Sequence, residues 1–181
     1  MARLNLRILR NRFKRLRGRE DGSATVEFVI IFPAIMMLLL MSVEVGVMMA
    51  RGMMLDRGID VSMRTLRLGN LSPMTHDQLK VEICKNSLII PDCEDVLSVE
   101  LRPIATSGWA PTSNRPVCND RSDNIDPVLA FQAGTANQLM LVSACATFKP
   151  FFPTTGLAAT IKTDGAGEYA MIATSAFVNE P

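Results

Sequence analysis

The hydrophobic pattern divides the chain into three textures. Residues 1–22 are polar and charged, Phe28 to Val43 carry no charged or amide side chain, and only Glu44 interrupts the apolar character before Arg51. As a helix, the 23 residues from Phe28 to Ala50 would extend about 34 Å, enough to cross a bilayer. Pro33 lies inside this run and removes one backbone hydrogen bond, so a kink or some unwinding is expected near Val29 to Pro33. Past the apolar run the period changes. Leu55, Ile59, Met63 and Leu66 recur at steps of four, four and three, with Arg57, Asp60, Arg64 and Arg67 on the opposite side. That is a helix with one face on a core. A single helix is therefore predicted from about Ser23 to Leu68, ending near Gly69-Asn70. A second, short helix is predicted from Thr75 to Leu88, its start marked by Ser72-Pro73. Three strands follow, at about 96–104, 138–148 and 168–178, each rich in β-formers or alternating apolar and polar residues. Between the first two lies an irregular segment, residues 105–137, which holds Trp109 and is read as either a binding feature or a mobile loop.

Charge and cysteine usage give this pattern a direction. Residues 1–22 contain eight basic side chains, Arg3, Arg7, Arg10, Arg12, Lys14, Arg15, Arg17 and Arg19, against Glu20 and Asp21. A basic arm directly before an apolar helix holds the cytoplasmic end of a membrane segment, which sends the rest of the chain across. A cleaved secretory signal would have a shorter apolar region ending at a small-x-small site, whereas this run continues into an amphipathic stretch and reads as retained. All four cysteines, Cys84, Cys93, Cys118 and Cys145, fall in the translocated part. An even count without CxxC pairs predicts two disulfides in an oxidising compartment rather than a zinc site. Four cysteines allow three connectivities. Cys84 with Cys93 and Cys118 with Cys145 is favoured, because the first pair can close a short loop around Pro91 and the second can tie a long loop to a strand.

Catalytic and ligand-binding chemistry is sparse. His76 stands alone at a helix start and reads as solvated or capping, no nucleophile elbow or phosphate-cradling glycine loop occurs, and the carboxylates are scattered. Asp164 and Glu168 in DGAGE lack the regular oxygen spacing of a calcium site and read as a turn. No enzyme, metal or cofactor is expected. Nucleic-acid binding is not expected either, because the portion beyond residue 22 is acidic. The methionine stripe Met36, Met37, Met41, Met48, Met49, Met53 and Met54 reads as adaptable helix-packing surface. Glu44, 17 residues beyond Glu27 and so about 25 Å along a helix, reads as an outer-interface carboxylate that reaches water, with a subunit contact as the minority reading.

Glu27 is the residue out of place, a carboxylate at the mouth of an apolar run. Gly22-Ser-Ala-Thr-Val-Glu27-Phe28 resembles the processing site of type IV pilin-like proteins. More specifically, GSATVEFVIIFPAIMMLLLMSVEVG resembles the TadE-like proteins of the tight-adherence (Flp, type IVc) pilus system. Val26-Glu27-Phe28, Pro33, Glu44-Val45-Gly46, Arg51 and Arg64 fall where that family has them, and the likeness covers about residues 18–68. Phe28 stands where the major pilins of this system have Tyr, and TadE-like proteins commonly show Phe, which points to a minor pilin or pseudopilin. The resemblance implies an α+β, type IV pilin-like fold: a long N-terminal helix packed on a small antiparallel sheet with a second short helix and a disulfide-stabilised head. It implies a basic leader 1–22 removed between Gly22 and Ser23 by a prepilin peptidase, a transmembrane and assembly helix 23–50 using Glu27, Phe28 and Pro33, and an extracytoplasmic head 51–181. The implied partners are that peptidase, other pilin subunits, the inner-membrane assembly machinery and membrane lipid. The implied role is pilus assembly, adhesion or surface attachment from the bacterial inner membrane, with incorporation into the extracellular pilus. Two other classes share features with this reading: an uncleaved single-pass protein with a periplasmic ligand-binding or sensor domain, and a secreted disulfide-bonded hydrolase.

Overall fold

The computed structural model describes residues 23–67, 75–104, 116–119, 130–132, 134–154 and 156–179. The leader with Gly22, the expected stop at Gly69-Asn70, Ser72-Pro73 and Trp109 lie outside the described residues. The chain is α+β and forms two units, one ending at Ser42 and one running from Val43.

Helix α1 (Ser23–Arg67) supplies the described part of the first unit and continues into the second. In the first unit its side chains from Ala24 to Ile35 are exposed throughout, among them Val26, Phe28, Val29, Ile30, Ile31 and Phe32. The helical assignment runs unbroken through Pro33, so the expected unwinding does not occur. The ring removes one N–H and leaves its neighbours free to keep the ladder.

In the second unit α1 carries the expected amphipathic face. Leu55, Ile59 and Met63 are buried and Leu66 packs beside them, while Arg57, Asp60, Arg64 and Arg67 are exposed. Helix α2 (His76–Asn86) buries Leu79 and Ile83. Its N-cap is Thr75, whose hydroxyl accepts from the Gln78 amide while the Gln78 side chain accepts from the Thr75 amide. This reciprocal capping box satisfies two of the donors left free at a helix start. The helix is thus capped at Thr75, the start expected for it. A single turn, α3 (Cys93–Val96), leads directly into the sheet and had no counterpart in the sequence reading, since four residues carry no period.

Strands β1 (Leu97–Pro103), β2 (Leu139–Phe148) and β3 (Tyr169–Val178) pair antiparallel in the order β1-β2-β3. The register sets Val99, Ala144 and Ala173 in one row and Leu101, Val142 and Ser175 in the next. Ser175 Oγ donates to Asp60 of α1 at 3.4 Å, which identifies this face as the one turned to the helix. The opposite face alternates with it. On β3 that face is open at Ile172 and Val178, but on β2 it is closed, with Ser143, Cys145 and Thr147 all buried. The cover includes residues 116–119, tied down by the Cys118–Cys145 disulfide and by the Val117 amide, which donates to Glu100 at 3.3 Å. Glu100 also pairs with Arg102. The outer edge of β1 gains a parallel bridge from Leu101 to Phe131, with amide–carbonyl bonds to Ala130 and from Gln132.

Gly58 marks the closest approach of α1 to α2. A Cβ there would lie 2.0 Å from Ser87 Oγ and 2.9 Å from the Ile83 carbonyl oxygen. The hydroxyl can rotate away, but the carbonyl belongs to the backbone of α2. Gly58→Ala is expected to lower stability by about 1–2 kcal/mol, because the overpacking strain exceeds the gain in helix propensity. Gly46→Ala, with nothing within 4 Å of its added Cβ, should leave stability unchanged or raise it. Urea midpoints of the two variants in detergent micelles measure the contrast.

Candidate functional site

Two places on α1 hold the residues singled out by the sequence. The first is its start. Glu27 and Phe28 are exposed on its first two described turns, and the Phe28 and Phe32 rings lie 5.1 Å apart. An exposed carboxylate at the head of an exposed apolar helix is the arrangement that the Glu27 reading requires. Pro33 follows on the same exposed stretch.

The second place lies within the second unit, and the sequence reading placed it wrongly. Glu44 does not reach water. It is 1% exposed, and its two carboxylate oxygens each accept one backbone amide, from Phe151 at 2.9 Å and from Phe152 at 2.9 Å. Both carboxylate oxygens are thus matched to successive donors of one loop, more than a hundred residues away in sequence. Bonds from amides to an ionised acceptor are about twice as strong as neutral ones. Two turns further along α1, Arg51 grips the same strand end. Its Nη1 donates to the Lys149 carbonyl at 3.4 Å and to the Tyr169 hydroxyl at 3.2 Å, and its guanidinium lies 4.9 Å from the centre of the Phe148 ring. Phe148 and Tyr169 are themselves in ring contact at 5.9 Å. Glu44 and Arg51 together form a clasp that fixes where β2 ends and which way the chain leaves it.

The signal that could have found this clasp was present. A carboxylate near hydrocarbon must have a partner, and that argument, applied to Glu27, holds equally for Glu44. What sequence could not supply was the identity of the partner, because backbone amides leave no mark in composition.

The remaining candidates resolve into structural roles. Cys84 bonds to Cys93 and Cys118 to Cys145. His76 contacts Asp77 at 3.2 Å and lies edge-on to Phe131, with ring centres 5.6 Å apart. Asp164 Oδ1 accepts from the amides of Ala166 and Glu168 at 3.0 and 2.7 Å, and Gly167 takes a φ of +75°, so DGAGE is a turn built by its own aspartate. Of the methionine stripe, Met48 packs against the core, while Met37, Met49 and Met53 are exposed. Among the described residues, no three His, Cys, Asp or Glu side chains are grouped to hold a metal ion.

Among the described residues, α1 is the one helix long and apolar enough to cross a membrane, which is compatible with a single-pass membrane protein. No curated protein and no solved structure gave a match to the chain. The family model of the TadE-like proteins matches residues 22–62, a span that begins at the proposed scissile glycine and takes in Glu27, Glu44 and Arg51. Over that segment the chain carries a TadE-like domain, which associates it with the Tad pilus system.

Proposed function

We propose that the protein is a minor pilin or pseudopilin of a type IVc pilus, made as an inner-membrane precursor and matured by a prepilin peptidase that cuts between Gly22 and Ser23. The observation that supports this reading is the family match over residues 22–62, which begins at Gly22. A glycine at the scissile position lets the backbone lie extended in a protease cleft. The cut removes the basic leader and creates an α-amine at Ser23. Glu27 then lies one helical turn from that amine, and on docking it accepts the amine of a neighbouring subunit. An uncompensated carboxylate inside a membrane costs on the order of 2.5–3.5 kcal/mol, so neutralising it gives assembly a direction.

Topology follows from two independent features. The basic leader favours the cytoplasm, and two disulfides in the head suit an oxidising compartment, the periplasm. The partners are the peptidase, other pilin subunits and the inner-membrane assembly machinery. The role is structural rather than catalytic, in pilus assembly and through it in adhesion or surface attachment.

N-terminal sequencing of the membrane-extracted protein tests the proposal. A start at Ser23 is expected, and an intact Met1 would sink it in favour of an uncleaved single-pass protein. Gly22→Leu should block maturation. Glu27→Ala should mature normally yet reduce pilus yield at least about tenfold, as expected if most of the docking free energy comes from neutralising the carboxylate. Unchanged yield would remove the assigned role of Glu27.

A further inference from the structure

We infer that the loop held by Glu44 is a membrane-contacting loop, with Phe151 inserted among the lipid headgroups of the outer leaflet and Lys149 set against anionic phosphates. The inference rests on the reading that the first part of α1 spans the membrane.

The uncharged run ends at Val43, and Glu44 follows at once. Counted from Glu27, about 25 Å of helix separates the two carboxylates, slightly less than the thickness of the hydrocarbon core. Glu44 is therefore set at the outer boundary of the hydrocarbon, where a carboxylate needs partners that water cannot fully provide. Its partners are the amides of Phe151 and Phe152. Because both bonds are direct, Phe151 and Phe152 sit at the same depth as Glu44, whereas Lys162 lies further along α1, beside Gly52 and Asp56.

The chemistry of the loop fits that position. Between Lys149 and Lys162 the sequence has no charged side chain, and it opens with Pro150-Phe151-Phe152-Pro153. Phe151 is 62% exposed, with its ring 5.3 Å from that of Phe152. An aromatic ring left open to solvent is common on its own, but here the loop places it beside the end of an apolar helix, where rings gather in membrane proteins. Lys149 and Lys162 are both exposed. Lys149, next to the apolar tip in sequence, can lay its stem along the surface while its ammonium group reaches phosphate, as basic residues do in segments that lie in the interface. A soluble partner would not call for this combination at this depth, and a lipid surface does.

The test uses the full chain in vesicles of phosphatidylethanolamine and phosphatidylglycerol. Trp109→Phe removes the single native tryptophan, and on that background either Phe151→Trp or Leu38→Trp is the sole reporter. Lipids brominated near the headgroup should quench F151W to about half its emission, and lipids brominated deep in the chain should quench L38W, as expected for interfacial and hydrocarbon positions respectively. Should F151W fail to form both disulfides, Thr154→Trp, also at an exposed position of the loop, is read in its place. Quenching of the loop reporter by aqueous acrylamide alone, with L38W still quenched by lipid, would overturn the inference and leave the membrane reading standing. A loop reporter shielded from both quenchers would mean that protein covers Phe151, and would overturn it too. Failure of lipid to quench L38W would overturn the membrane reading and the inference together.

Discussion

Glu44→Ala is expected to lower the unfolding free energy by about 3 kcal/mol, since it removes two charge-assisted hydrogen bonds and leaves two amides without their acceptor. The two losses are coupled through one loop, so they do not simply add. Glu44→Gln should fall between, because an amide oxygen can accept from Phe151 or Phe152 while its NH2 group opposes the other donor. Urea denaturation in detergent, followed by the tyrosine and tryptophan near-ultraviolet signal, reads the midpoint. Native-state hydrogen exchange localises it. The amides of Phe151 and Phe152 should lose protection in both variants, whereas those of β1 should lose it only with global unfolding. An alanine variant with a wild-type midpoint and protected loop amides would show that the clasp is not what holds the loop.

The second large effect concerns the Cys118–Cys145 bond. It closes a loop of 27 residues, and the chain-entropy estimate for that length is about 3.5 kcal/mol. Replacing both cysteines by alanine is therefore expected to remove a large fraction of the 5–15 kcal/mol typical of a folded domain. The structural consequence is specific. Residues 116–119 would lose their covalent hold on the back face of β2, and Ser143, Cys145→Ala and Thr147 would open to water. Urea midpoints against the oxidised wild type measure the loss, and proteolysis between residues 105 and 137 should accelerate. The Cys84–Cys93 bond spans 9 residues, so its removal should cost less, about 2.6 kcal/mol on the same estimate. A smaller effect for the longer loop would count against the entropic account.

Both effects belong to features of different legibility. The two bonds were among three connectivities that the cysteine positions allowed, and the favoured pairing rested only on loop length and the nearby Pro91. The fold settles it: α3 brings Cys93 back against α2, and the register of β1 with β2 sets Cys145 opposite Ser98, on the face that residue 118 covers. Glu44 was legible as a charge at the end of an apolar run and illegible as a clasp. Thr75 was expected as the start of α2 and does cap it, and its T-x-x-Q spacing with Gln78 is a local signature that sequence carries.

The sequence by itself determined the length and exposed character of the first part of α1, the core face of Leu55, Ile59 and Met63, and the three strands to within about a residue, because each depends on a period that neighbouring side chains repeat. It also carried the likeness to the TadE-like proteins, through residues 22–62. Only the tertiary structure decided that Glu44 is buried against the Phe151 and Phe152 amides rather than open to water, and that β2 is covered on both faces. The Glu44 contacts join residues about a hundred positions apart through backbone amides, and a backbone amide is the one group that every sequence carries in the same form.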